Sequence, residues 1–242
     1  MTLARRLVAE GLGTAFLLAI VVGSGIMAER LAGGNAAVAL LANAVATGAG
    51  LVALILMFGT ISGAHFNPVV TLSEAWQKNL PAIDVLPYIA AQLAGAFAGV
   101  AAAHMMFGEP VFFASTHIRT GAAQWWSEFV ATFGLLAVII GCSRSRPGVT
   151  PFAVAAYITA AYWFTASTSF ANPAVTLARS ASNTFAGIRP IDAPGFIVAQ
   201  LLGAGAATLV FCWLYPAPPA NATVAGTVAP SDFSSNNPGA GT

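Results

Sequence analysis

The chain has 242 residues, of which 57 % are hydrophobic and 7 % charged, with a formal net charge of +1. Soluble domains carry roughly 25 % charged residues, so the composition excludes a soluble globular domain and describes a polytopic membrane protein. The near-neutral balance also implies no nucleic-acid partner and no acidic one.

Arg5 and Arg6 precede an apolar run that continues to Met27 without a clear cleavage site. The run reads as a first span rather than a signal peptide. Six stretches are long enough to cross a bilayer: about Ala4–Met27, Ala36–Gly59, Asp84–Met106, Ala122–Cys142, Thr150–Ser167 and Ala193–Tyr215. Two shorter segments, 67–76 and 172–183, lie between spans two and three and between spans five and six. The fold class is therefore an all-α membrane protein with six spans and two re-entrant half-helices. Residues 216–242 are rich in Pro, Ala, Gly, Ser and Asn with Asp232 as the one charge, and are expected to be disordered. Cys142 and Cys212 sit in apolar runs and read as small core residues, with no metal site implied. Trp125 and Trp126 open span four as an interfacial belt. Gly95, Gly99, Gly203 and Gly205 are expected to be close-packing points between spans.

One short motif occurs twice. The first copy is His65-Phe66-Asn67-Pro68-Val69-Val70-Thr71-Leu72 and the second is Phe170-Ala171-Asn172-Pro173-Ala174-Val175-Thr176-Leu177. Each is a helix start, because Asn caps and Pro occupies the first helical position, where a missing N–H costs nothing. Ten residues rise about 15 Å, half of a bilayer core. The duplication extends further. Glu128 lies 118 residues after Glu10, Asn172 lies 105 after Asn67, and Gln200 lies 108 after Gln92. The chain thus divides into a first repeat (1–120), a second repeat (121–215) and the tail (216–242). Three spans per repeat is an odd number, so the second repeat enters the membrane inverted and the half-helices meet N-terminus to N-terminus near the midplane.

Such a meeting places two partial positive charges and the Asn67 and Asn172 amide donors at one point. A neutral, oxygen-bearing solute accepts those hydrogen bonds, whereas a cation is repelled. The preceding stretches, Gly63–Phe66 and Ser167–Phe170, are expected to be extended, with carbonyls forming a ladder of acceptors along a pore.

These motifs make the chain resemble the major intrinsic protein family, the aquaporins and aquaglyceroporins, over about residues 4–215. The resemblance rests on Ser62-Gly63-Ala64-His65-Phe66-Asn67-Pro68, on Ala171-Asn172-Pro173-Ala174, and on the glutamates that begin spans one and four. It implies a homotetramer with one pore per subunit, embedded in lipid and using no cofactor. It gives Glu10 and Glu128 a scaffold role, accepting hydrogen bonds from the re-entrant loops. A proton relay, or for Glu10 a pairing with Arg6, are the alternatives. Two departures stand out. The first motif carries Val69 in place of Ala, which concerns packing. At the second, the Arg that most of the family places directly after Asn-Pro-Ala is Val175 here, and Arg179, one turn later, is expected to face elsewhere. By position, the constriction falls on Thr47, Ser169, Val175 and a span-five residue. Counting from the start of span five gives Tyr162, and counting back from Asn172 gives Ala160; the phase of the helix favours Tyr162.

A filter of Thr47, Tyr162, Ser169 and Val175 has no fixed charge and less bulk than a water-selective one. The Thr and Val combination resembles bacterial channels encoded in arsenic-resistance operons. That resemblance implies passage of glycerol-sized polyols or metalloid hydroxides such as arsenite and methylated arsenicals, with water. A water-selective pore is the rival within the class. A secondary transporter would need an ion-coupling acid or base at the midplane, where the sequence offers asparagines. No nucleophile–base pair or cofactor motif suggests an enzyme. Lys and Arg in the short loops favour cytoplasmic termini by five to four, in a bacterial inner membrane. His65 is expected to face the cytoplasmic vestibule, as a hydrogen-bonded loop residue or as a pH gate.

Overall fold

Leu3–Leu31 (α1), Ala36–Ser62 (α2), Ala82–Phe107 (α4), Ala122–Ser145 (α5) and Ala193–Leu214 (α8) are long apolar helices, each sufficient by length and composition to cross a membrane. Between them lie Pro68–Trp76 (α3), Thr150–Phe164 (α6) and Pro173–Arg179 (α7). The structure is a computed structural model in which residues 1–215 are described, so the expectation for residues 216–242 lies outside the described residues.

The span expected at 150–167 is a helix of 15 residues, about 22 Å long. It stops early because the chain becomes extended at Thr165. The backbone of Ala166 is then held by α5 side chains: Ser127 Oγ accepts its N–H at 3.1 Å and Gln124 Nε2 donates to its carbonyl at 2.9 Å. The second half-helix is also shorter than the expected 172–183. It ends at Arg179, after which Ser180, Ala181 and Ser182 bond back to the last turn.

In each half the first and third long helices pack tightly, α1 on α4 and α5 on α8. Glycines permit the approach. A methyl on Gly95 or Gly99 would overlap the carbonyl oxygens of Gly11 or Ala15, and one on Gly203 would overlap that of Phe129. Gly205 departs from expectation, since it faces open space. Large apolar side chains such as Phe16, Met57, Leu86, Met106, Leu202 and Trp213 are exposed on the outside of the bundle, as in a protein whose solvent there is hydrocarbon. Trp125 and Trp126 are exposed at the start of α5. Cys142 and Cys212 are half-buried free thiols, not core residues, and Arg144 Nη2 approaches Cys212 Sγ at 3.5 Å.

Candidate functional site

Two loops, 63–67 and 168–172, descend between the long helices and end at the caps of α3 and α7. Asn67 Oδ1 accepts from Val69 N at 3.1 Å, and Asn172 Oδ1 accepts from Ala174 N at 3.0 Å and Val175 N at 3.2 Å. Pro68 and Pro173 occupy the first helical positions, as their chemistry requires. Each asparagine also reaches across the junction. Asn67 Nδ2 donates to Ala171 O and Asn172 Nδ2 donates to Phe66 O, both at 2.8 Å. One amide proton of each asparagine therefore joins the two loops, and the second remains available. Both residues line the central cavity.

The loops are not simply extended. Gly63, Ala64 and Phe66 have φ of 93°, 50° and 49°, and Thr168, Ser169 and Ala171, each 105 residues later, have φ of 59°, 53° and 49°. Five of these six residues are not glycine, and a left-handed backbone costs each of them about 1–3 kcal/mol. Two buried glutamates hold the strained geometry. Glu10 accepts from Ser62 Oγ at 2.6 Å, His65 N at 3.0 Å, Phe66 N at 2.8 Å and Gln92 Nε2 at 2.8 Å. Glu128 accepts from Phe170 N and Ala171 N at 2.8 Å and from Gln200 Nε2 at 2.6 Å. Arg6 does not pair with Glu10. Its guanidinium bonds Asp84 at 3.0 Å and Tyr88 Oη at 2.7 Å instead.

Gln92 and Gln200 carry a role that their place in the repeat did not reveal. Each ties its glutamate to a hydroxyl in the first turn of the half-helix, Thr71 or Thr176, at 2.9 Å. The resulting acid–amide–hydroxyl chain fixes loop, half-helix and long helix together. Val69 is fully buried and enters only packing.

The carbonyls of Gly63, Ala64 and His65, and those of Thr168, Ser169 and Phe170, have no hydrogen-bond partner among the described residues. Of these residues Gly63, Ala64, His65 and Ser169 line the central cavity, on a backbone that is left-handed at Gly63, Ala64 and Phe66 and again at Thr168, Ser169 and Ala171. His65 Nδ1 lies 3.1 Å from Thr71 Oγ1, a hydrogen-bonded loop histidine whose ring lies in the cavity wall.

The cavity, about 260 Å³, runs from Glu74, Ser143 and Thr150 on the face that carries the N-terminus, past Asn67 and Asn172, to Arg179 on the opposite side. One wall is apolar, with Leu17, Val21, Leu51, Ile55, Leu135, Ile139, Val154 and Ile158. Facing it are the loop backbones and the asparagine amides. Thr47, Tyr162, Ser169 and Val175 all line this cavity, and Thr47 Oγ1 and Tyr162 Oη are 3.2 Å apart. Tyr162 is buried, whereas Ala160 is exposed on the outer face of α6. Two residues along a helix turn about 200°, so only one of them can face inward.

Residues 1–154 match the family described as "Major intrinsic protein". The chain belongs to the major intrinsic protein family. It is 57 % identical over 212 residues to aquaglyceroporin AqpS of Rhizobium meliloti, covering 88 % of this chain and 91 % of that one. Aquaporin Z of Bradyrhizobium diazoefficiens is 28 % identical over 245 residues, covering 93 % and 98 %. The X-ray structure of the aquaglyceroporin from Plasmodium falciparum superposes with a TM-score of 0.59 at 21 % identity, covering 88 % and 96 %, and shares the fold. Major intrinsic proteins are channels, so this membrane protein is a passive channel for small solutes and not an enzyme.

One position overturns the sequence reading. Arg179 does not face elsewhere: it lines the central cavity and also a second cavity, about 270 Å³, on the side away from the N-terminus. Its guanidinium carbon lies 3.4 Å from the centroid of the Phe170 ring, and its Nε donates to Ala186 O. Arg119 was also missed. It stacks on Phe170 at 5.2 Å and donates to Gly187 O at 2.8 Å, Ser167 O at 3.2 Å and Thr168 Oγ1 at 3.4 Å. The signal that could have flagged both is their rarity, because nine Lys and Arg residues serve 242 positions and a cation inside a membrane protein is a functional suspect.

Proposed function

We propose that this channel passes uncharged, glycerol-sized polyols and metalloid hydroxides, arsenite and methylated arsenicals among them, together with water. The observation that carries the reading is the set Thr47, Tyr162, Ser169 and Val175 around one cavity with an apolar wall opposite. A polyol or trihydroxide has hydroxyls on one side to meet the carbonyl rungs and the Asn67 and Asn172 amides. Its other side meets aliphatic side chains. Val175 contributes no donor, so the wall there demands little of the solute and leaves room that an Arg would fill. The similarity to a protein called an aquaglyceroporin agrees with a polyol-sized bore.

In this reading Asn67, Pro68, Val69, Asn172, Pro173 and Ala174 form the midplane junction, and Glu10 and Glu128 support the loops. The protein works as a homotetramer in a bacterial inner membrane with cytoplasmic termini.

Stopped-flow light scattering on proteoliposomes tests this, with water, glycerol and arsenite compared on one preparation beside Val175→Arg. Glycerol and arsenite uptake is expected to fall at least about tenfold in Val175→Arg, since a bulky donor occupies the bore. Fast water flow with no solute uptake in the parent protein would instead make this a water-selective pore.

A further inference from the structure

We propose that Arg179 is the fixed cation of this pore, a specificity-determining residue that keeps cations out of a passage whose Thr47, Tyr162, Ser169 and Val175 walls are neutral. The inference rests on the channel reading above and concerns what that channel refuses.

Arg179 is 2 % exposed, and no carboxylate among the described residues forms an ion pair with it. Its Nε bonds Ala186 O, while Nη1 and Nη2 have no hydrogen-bond partner among the described residues. The ring of Phe170 covers one face of the guanidinium. The residue forms part of the wall of both cavities, so the free nitrogens lie where one cavity gives way to the other. Beside it in the central cavity, Ser169 Oγ is buried and has no partner either. The second cavity also contains Arg119, which adds charge of the same sign, and no Asp or Glu.

A guanidinium needed only to hold the 180–188 loop would spend its hydrogens on that loop. Here a single N–H does so, a bond that a neutral donor could make. An unpaired cation is costly inside a membrane protein and survives where it acts on the pathway. Repulsion between unit charges in a narrow, poorly screened passage is strong. A dehydrating cation meets it where the neighbouring carboxylate, Glu128, is already committed to Phe170 N, Ala171 N and Gln200, whereas a neutral solute gains donors from Nη1 and Nη2.

The test uses the full chain in proteoliposomes, following methylammonium influx and glycerol uptake on the same preparation. The parent channel is expected to exclude methylammonium. Arg179→Gln should admit it at least about tenfold faster, with glycerol uptake retained, and Arg179→Lys should stay tight. If Arg179→Gln carries glycerol yet remains as tight as the parent, the proposal is overturned. A purely structural residue would give poor folding in both variants and no leak rescued by Lys. Should Arg179→Gln fail to fold, Thr168→Asp places a carboxylate in the same wall with Arg179 intact. It is expected to leak methylammonium, and tightness there would overturn the proposal equally. A parent protein that carries neither glycerol nor arsenite would sink the substrate reading, while the methylammonium comparison still decides the role of Arg179.

Discussion

The two re-entrant loops are built on one plan and anchored differently. Both take the same left-handed turns, both hang from a buried glutamate, and both are crossed by an asparagine from the other side. The first loop is further tied by hydroxyls. Ser62 Oγ donates to Glu10, and Tyr88 Oη donates to Ser62 O at 2.9 Å, with Arg6 behind it. The position matching Tyr88 in the second half is Phe196, which offers no hydroxyl. There the charged side chain of Arg119 comes directly to Ser167 O. One end of the pore is thus held by neutral donors and the other by cations, so the charge asymmetry of the channel arises from how its loops are tethered.

The largest effects should come from the shared part of the plan. Glu10→Ala strips acceptors from four donors and Glu128→Ala from three. Each buried donor left unsatisfied costs about 1–3 kcal/mol, which is comparable to the whole margin of a typical fold. Both variants are expected to lose the folded form in detergent, seen as early aggregation on size exclusion and a lowered Tm by tryptophan fluorescence. Glu10→Ala should be the worse of the two. Equal stability of either variant with the parent would mean that the loops hold their left-handed turns without the carboxylates.

Much of that plan was legible in the sequence. Asn-Pro is a local signal, since capping needs only the two residues and the helix that follows. The spacing of the glutamates and glutamines repeated closely enough to pair them before any contact was known. What escaped were features set by distant parts of the chain. The left-handed turns fall on Ala64, Phe66, Thr168, Ser169 and Ala171, types that do not advertise positive φ. They are imposed by the glutamates. The direction of Arg179 depends on the 180–188 segment folding back to offer Ala186 O and on Phe170 below it. Four residues on from Val175, helical phase keeps Arg179 on the same face, so the expectation that it faces elsewhere overlooked the i,i+4 spacing. Span five ran short for a related reason: Ser127 and Gln124 on α5 capture the backbone of Ala166.

The tethers themselves predict a smaller and unequal pair of effects. Arg119→Met removes three donations to the loop region, and bonds to charged groups are worth about 1.5–3 kcal/mol each. Tyr88→Phe removes two, the neutral bond to Ser62 O, worth about 1 kcal/mol, and the one accepted from Arg6 Nε, and leaves Arg6 still paired with Asp84. Arg119→Met is therefore expected to lower Tm clearly more than Tyr88→Phe in the same detergent. The reverse order would show that the hydroxyl tether carries the first loop more than the guanidinium carries the second.

The smallest effect separates the two helix pairs behind the loops. Gly95 and Gly203 occupy matching positions, 108 residues apart, and each meets a carbonyl. Gly99 meets the carbonyl of Ala15 as well, but its counterpart is Ala207, whose methyl is fully buried in the second pair. The α1–α4 crossing is therefore close at two successive turns, and the α5–α8 crossing at one. Gly99→Ala should cost about 1–3 kcal/mol by overpacking. Gly205→Ala, a methyl added to open space on the same face of the bundle as Leu201 and Leu209, should fall within about 0.5 kcal/mol of the parent. Comparing the two by thermal unfolding tests whether the glycines are placed by contact or merely tolerated. If Gly99→Ala proved as mild as Gly205→Ala, the first pair would be free to open to the spacing of the second, and the close approach of α1 to α4 would not be what positions Glu10 beneath the first loop.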